Sequence, residues 1–310
     1  MAEQLEKRVS MIELFYDLVF AYMISQATEL ISEVHHVVVT VNSFVVFALV
    51  IVIFINSRMI QAVFTNRYGR GNWRDICFYF LDMMILLYMI NAFRAISVAN
   101  FMQLFFAAGL LSLTLMCQYL LVYLRTKSAV DKKISAAFTG ILALRTVTFL
   151  IGGLSNTVWA RWVAILGLLI SWLLPGFTGK YTRQHPVIFS HLLERLTLLI
   201  IIVFGETIIG VADYFAPSKL SGVSILIFVI VACLFFSYIS EFDRLIENKR
   251  RGETGNLLIY LHYFILFGLI LVTVALQFIG EKTANHFFCG QLPLPRVVLV
   301  LCRSHVGPAL

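Results

Sequence analysis

The sequence predicts an all-α protein: a polytopic transmembrane helical bundle of about nine spans with its N-terminus cytoplasmic. Three observations carry this. Of the 310 residues, 60% are hydrophobic and only 13% charged, with a mean hydropathy of +0.89, far too apolar for a water-soluble domain of this length. The apolar residues fall into about nine runs of about 20, the length a helix needs to cross hydrocarbon with every backbone polar group bonded internally. The Lys and Arg residues cluster in alternate loops, as they do where basic loops are retained on the cytoplasmic side.

The first run, 11–31, follows Lys7 and Arg8 and begins MIELFYDLVFAYMISQAT. It lacks a small-residue cleavage site after a clean apolar core, so it is expected to remain as a helix rather than leave as a signal peptide. Glu13 and Asp17 are one helical turn apart and share a face. Asp17 lies roughly 13 Å deeper than Arg8 at 1.5 Å per residue. The second run, 37–57, stops before Arg58, which is expected to snorkel to the interface, and His35 and His36 fall in the loop before it. Arg67, Arg70 and Arg74 follow. The third run, 75–95, carries Asp82 at depth. The fourth, 101–124, leads to Arg125, Lys127, Lys132 and Lys133. The fifth, 134–153, has Arg145 near its middle. The sixth, 160–178, is followed by Lys180 and Arg183.

The seventh run, 192–215, has the densest set of ionisable groups. In HLLERLTLLIIIVFGETIIGVAD, His191, Glu194 and Arg195 stand at the cytoplasmic end and Glu206 roughly 16 Å further in. The spacing of Arg195 and Glu206 is close to three turns, so both point to one side. Gly205 leaves room there for a neighbouring helix or an ion. The eighth run, 220–240, contains VSILIFVIVACLFFSYIS, has no deep charge and reads as lipid-facing or structural. Arg244, Lys249, Arg250 and Arg251 follow it. The ninth, 256–279, adds His262, a group able to change charge near neutral pH. The opposite loops hold little more than Arg94, Arg161, Lys219 and Lys282, so the alternation supports both the count and the orientation.

Residues 1–282 read as a single transmembrane domain with no linker and no internal repeat. Residues 283–310 form an atypical tail that reads as truncated, with Pro293, Pro295 and an apolar run too short to span. The net charge of +7 is topology, because the basic groups form no aromatic-interleaved stripe or Cys/His module, and nucleic acid is not an expected partner. The five cysteines stand without CxxC or CxxH spacing, implying no disulfide framework, metal site or cofactor. The expected partners are the lipid bilayer and a small solute, cation or proton.

An ionisable group at mid-bilayer costs at least ~2.5 to 3.5 kcal/mol, so each needs a reason. One reason is interhelical glue, with Arg145 satisfied by Asp17, Asp82 or Glu206, and with Glu13, His191 and Glu194 in the interface. The other is a pathway. Asp17, Asp82 and Glu206 face Arg145 as the only comparably deep base, an interior about two charges negative if all ionise. Low dielectric disfavours that unless carboxyls are protonated or a cation resides there.

ELFYDLVF in the first run, HLLERLTLLIIIVFGETI in the seventh and YLHYFILFGLILVTVALQFIGE in the ninth resemble the bacterial low temperature requirement A family over residues 9–282. The resemblance implies a multispan inner-membrane protein, named for a requirement for growth in the cold, and no particular biochemical activity. Its motif positions correspond to Glu13, Asp17, His191, Glu194, Arg195, Gly205, Glu206 and His262. It also implies further membrane helices beyond the nine. The leading functional expectation is a transporter or a proton- or ion-conducting protein. A non-transporting scaffold or sensor is the alternative. A membrane-embedded enzyme using His191, Glu194 and His262 is less favoured, because H-x-x-E-R lacks the paired histidines of H-E-x-x-H and no Ser or Cys nucleophile stands in an elbow motif.

Overall fold

In a computed structural model, which describes residues 9–32, 41–94, 101–245 and 255–279, the chain is helical throughout its regular elements. The long helices are α1 (Met11–Ser32), α2 (Val41–Tyr68), α3 (Trp73–Arg94), α4 (Met102–Arg125) and α5 (Ala129–Leu154). They continue with α6 (Val158–Phe177), α7 (Phe189–Val211), α8 (Gly222–Ile239) and α9 (Asn256–Ile279). A one-turn helix, Gly179–Thr182, lies between α6 and α7. Eight of these helices, all except α1, are long and apolar enough to cross a bilayer, which makes the chain a multi-pass membrane protein. α1 has 22 residues, and Glu13, Asp17, Gln26 and Glu29 interrupt its apolar ones. The tail 283–310, His35, His36, Cys289 and Cys302 lie outside the described residues.

The largest departure from the sequence reading is α2. Expected to end at residue 57, it continues to Tyr68. Asn56, Ser57, Arg58, Gln61, Thr65 and Asn66 are all buried, so this polar stretch is an inner face rather than a span end. Arg58 does not snorkel. It is 3% exposed and points into the bundle. α2 is accordingly the central helix, with 72% of its span buried, whereas only 22% of the α8 span is covered. That low value agrees with the apolar, charge-free sequence of α8, most of which faces outward.

Close approach is easiest where side chains are smallest. At Gly153 of α5 a Cβ would stand 2.6 Å from the Phe106 Cα of α4, and at Gly152 it would stand 2.8 Å from the Ala164 Cβ of α6. The α4–α5–α6 layer closes through these contacts. Ser128 caps α5 by accepting from the Asp131 N–H at 3.3 Å. Gly71, at φ +67°, supplies the left-handed residue in the α2–α3 turn. α8 runs on into a π-helical turn, Ser240–Leu245.

Candidate functional site

The inward row on α1 begins with Glu13 and Asp17, four residues apart and 3% and 1% exposed. α7 brings His191 and Arg195 to the same level at the same spacing, and α2 brings Arg58. The Arg195 Nη1 lies 2.6 Å from the Glu13 Oε2, and its Nη2 lies 3.8 Å from the Asp17 Oδ1. That same Asp17 oxygen receives the Arg58 guanidinium, whose carbon also lies 5.3 Å from the Tyr16 ring centroid. The result is a ladder of alternating sign, Glu13, Arg195, Asp17, Arg58, joining three helices.

Asn66 sets the upper end of this ladder. Its Oδ1 accepts from the Ile188 N–H at 2.8 Å, and its Nδ2 donates to the Ile188 carbonyl at 2.9 Å, fixing the start of α7. The Asn66 Nδ2 also lies 3.1 Å from the His191 Nδ1. With Nδ1 accepting there, the His191 Nε2 carries the hydrogen and faces the Glu13 Oε2 at 3.7 Å. The Ser10 N–H adds a donor to that oxygen at 3.2 Å. Among the described residues the Asp17 Oδ2 and the Nε atoms of Arg58 and Arg195 have no hydrogen-bond partner.

The other deep charges stand apart from the ladder. Asp82 on α3 is fully buried and accepts from the Thr114 hydroxyl of α4 at 2.5 Å. Arg145 on α5 is also fully buried, but none of the expected acids reaches it. It donates to the Ser112 hydroxyl at 2.7 Å, to the Asn56 amide oxygen and to the Ser57 hydroxyl at 3.4 Å, all neutral acceptors. Glu206 is 8% exposed and faces Ser25 of α1. Since Arg195 meets Glu13 and Glu206 meets Ser25, α1 and α7 lie parallel, and the two α7 groups do share one side as their spacing predicts. Thr207, next to Glu206, pairs with Thr273 of α9 at 2.6 Å. Beside Gly205 there is open space, with no described atom beyond its own stretch of helix within 4 Å of where a Cβ would stand.

Two candidate residues lie elsewhere. Glu194 is exposed on the outer side of α7, one residue and about 100° of helical turn from Arg195. His262 is fully buried between α8 and α9. It lies 2.8 Å from the Leu258 carbonyl through Nδ1 and 3.0 Å from the Tyr238 hydroxyl through Nε2, with the Phe242 ring centroid at 4.9 Å. His191, Glu194 and His262 therefore do not converge as an enzymatic constellation would require. No group of three or more His, Cys, Asp or Glu side chains is placed to hold a metal ion among the described residues.

A cavity of about 480 Å³ opens beside the ladder where the start of α1, the end of α2 and the start of α3 meet. Ser10, Glu13, Gln61, Tyr79, Asp75 and Gln118 are among its lining residues. Charge placement also changes the interior count. Among the described residues four buried acids, Glu13, Asp17, Asp82 and Glu206, accompany three buried arginines, Arg58, Arg145 and Arg195, so the excess there is one negative charge rather than about two. Arg58, Gln61, Thr114 and Gln118 were not candidates from the sequence. The three-and-four spacing of Arg58, Gln61 and Thr65 was the available signal, since it marks one polar helical face.

A family model described as bacterial low temperature requirement A protein (LtrA) matches residues 8–304, nearly the whole chain. No curated protein and no solved structure matches it.

Proposed function

The chain belongs to the bacterial low temperature requirement A family, and on that premise we propose that it is an inner-membrane transporter or ion-conducting protein that moves protons or a small cation. In this reading α1 is the ninth span, the N-terminus is cytoplasmic, and the activity supports growth in the cold. The observation that carries it is the ladder of Glu13, Arg195, Asp17 and Arg58, whose first member, Glu13, lines the cavity. Asp17 lies within 4 Å of two arginines, and Arg195 lies within 4 Å of two carboxylates. Exchanging partners within such a chain takes a shift of about an ångström, and bistable packing between rigid helices can amplify it. Glu206, further along the α1–α7 seam, extends the acidic face toward the far side.

Purified protein in liposomes is expected to move protons or a monovalent cation, with Asp17→Asn abolishing the movement. Unchanged flux in that variant would sink the assigned role. One observation favours a non-transporting scaffold instead: the ladder is balanced, with two acids and two bases, as interhelical glue would be. A scaffold would lose stability rather than flux when the ladder is altered.

A further inference from the structure

Asp82 is set apart from the other buried acids by what surrounds it. It is fully buried on α3, and its Oδ1 accepts a single hydrogen bond, from the Thr114 hydroxyl. Its Oδ2 has no hydrogen-bond partner among the described residues. The groups facing it are Thr114 and Gln118 from α4 and the Tyr16 phenol from α1. No Arg, Lys or His of the described residues forms an ion pair with it. A carboxylate held ionised in a protein interior is ordinarily met by a cation or by two or three donors. Asp82 has one.

Gln61 and Gln118 both line the cavity, and of the two Gln118 faces this acid. Both are buried, at 4% and 2% exposure, and the Gln61 amide donates to the Gln118 Oε1 at 3.4 Å. The Gln118 Nε2 and the Gln61 Oε1 remain unpartnered. An amide has both a donor and an acceptor and can turn between them. The two glutamines thus make a polar thread from the cavity to a carboxyl oxygen that is itself outside the lining.

We propose that Asp82 is a proton-binding site served from this cavity through Gln118. The step is an acid–base exchange. A hydronium ion in the cavity gives up its proton, an O–H bond forms at Oδ2, and water is left; release runs in reverse, and no electron is transferred. The inference rests on the transport reading only for what the bound proton accomplishes.

The test is infrared spectroscopy of the full chain in lipid nanodiscs, stepped in pH and transferred between light and heavy water. A carboxylic-acid C=O band that responds to pH and vanishes in Asp82→Asn is expected. In Gln118→Leu the band is expected to persist, with its isotope shift slowed by on the order of tenfold as the polar thread is broken. If Asp82→Asn does not assemble, Asp82→Glu carries the same test, since the band must then move in frequency. A band unaffected by either substitution at position 82 would overturn the proposal. So would a band abolished by sodium at constant pH, which would give the site to a metal cation. The spectra need no gradient, so the two readings fail separately. A titrating Asp82 in vesicles without flux retains this site and removes the transport role, and flux without protonation of Asp82 does the reverse.

Discussion

Replacing Arg195 with methionine removes a guanidinium that is 2% exposed and stands 2.6 Å from the Glu13 carboxylate and 3.8 Å from that of Asp17. At an effective dielectric of about 20 those separations correspond to attractions of about 6 and about 4 kcal/mol, from which the cost of burying the charges must be subtracted. What remains in the variant decides the net effect. Asp17 keeps Arg58, whereas Glu13 is left with the Ser10 N–H at 3.2 Å and His191 at 3.7 Å. A buried charge stripped of its main partner costs about 3 to 5 kcal/mol, well above the ~0.6 kcal/mol of an average interhelical hydrogen bond in a membrane. Adding Glu13→Gln neutralises the stranded acid, so the double variant is expected to lose only about 1 to 2 kcal/mol. In thermal unfolding in detergent, at about 2 °C per kcal/mol, the single variant should melt roughly 6 to 10 °C early and the double roughly 2 to 4 °C early. A single variant within about 1 kcal/mol of the native chain, with a double equal to the sum of its parts, would refute the coupling.

The two glycine environments give a contrast that thermal melting can read. Gly153→Val forces a side chain into the Phe106 backbone and is expected to cost about 1 to 3 kcal/mol or more. Gly205→Ala meets nothing beyond its own stretch of helix within 4 Å and should be neutral, or stabilising by up to about 1 kcal/mol through helix propensity. Glu194→Gln, on the exposed side of α7, should stay within about 0.5 kcal/mol of the native chain and leave flux intact. His262→Ala removes a fully buried ring that bonds the Tyr238 hydroxyl and the Leu258 carbonyl, and should cost about 2 to 4 kcal/mol.

The acidic row on α1 and its partners on α7 were legible in the sequence because an ionisable residue inside an apolar run stands out. Helical spacing then assigns a face to Glu13 with Asp17 and to His191 with Arg195. The same periodicity would have turned Glu194 away from Arg195, and it is exposed. α2 was misread because a charge near the end of an apolar run has two physical solutions, snorkelling or burial against an acid. Asp17, which selects burial for Arg58, is 41 residues away in the chain. The partners of Arg145 were hidden for a related reason. An arginine can be satisfied by neutral oxygens as well as by carboxylates, and Asn56 and Ser112 carry no charge to mark them. The isolation of Asp82 is a property of three-dimensional neighbours and has no signature in spacing.

The most direct measurement of whether the ladder serves a function or only holds helices together is flux through the Glu13→Gln/Arg195→Met double variant. That variant keeps the helices paired while removing the alternation of charge. Reconstituted in vesicles beside the native chain, it is expected to be folded, to melt within a few degrees of native, and to have lost proton or cation movement. A folded double variant with native flux would contradict a functional role for the ladder.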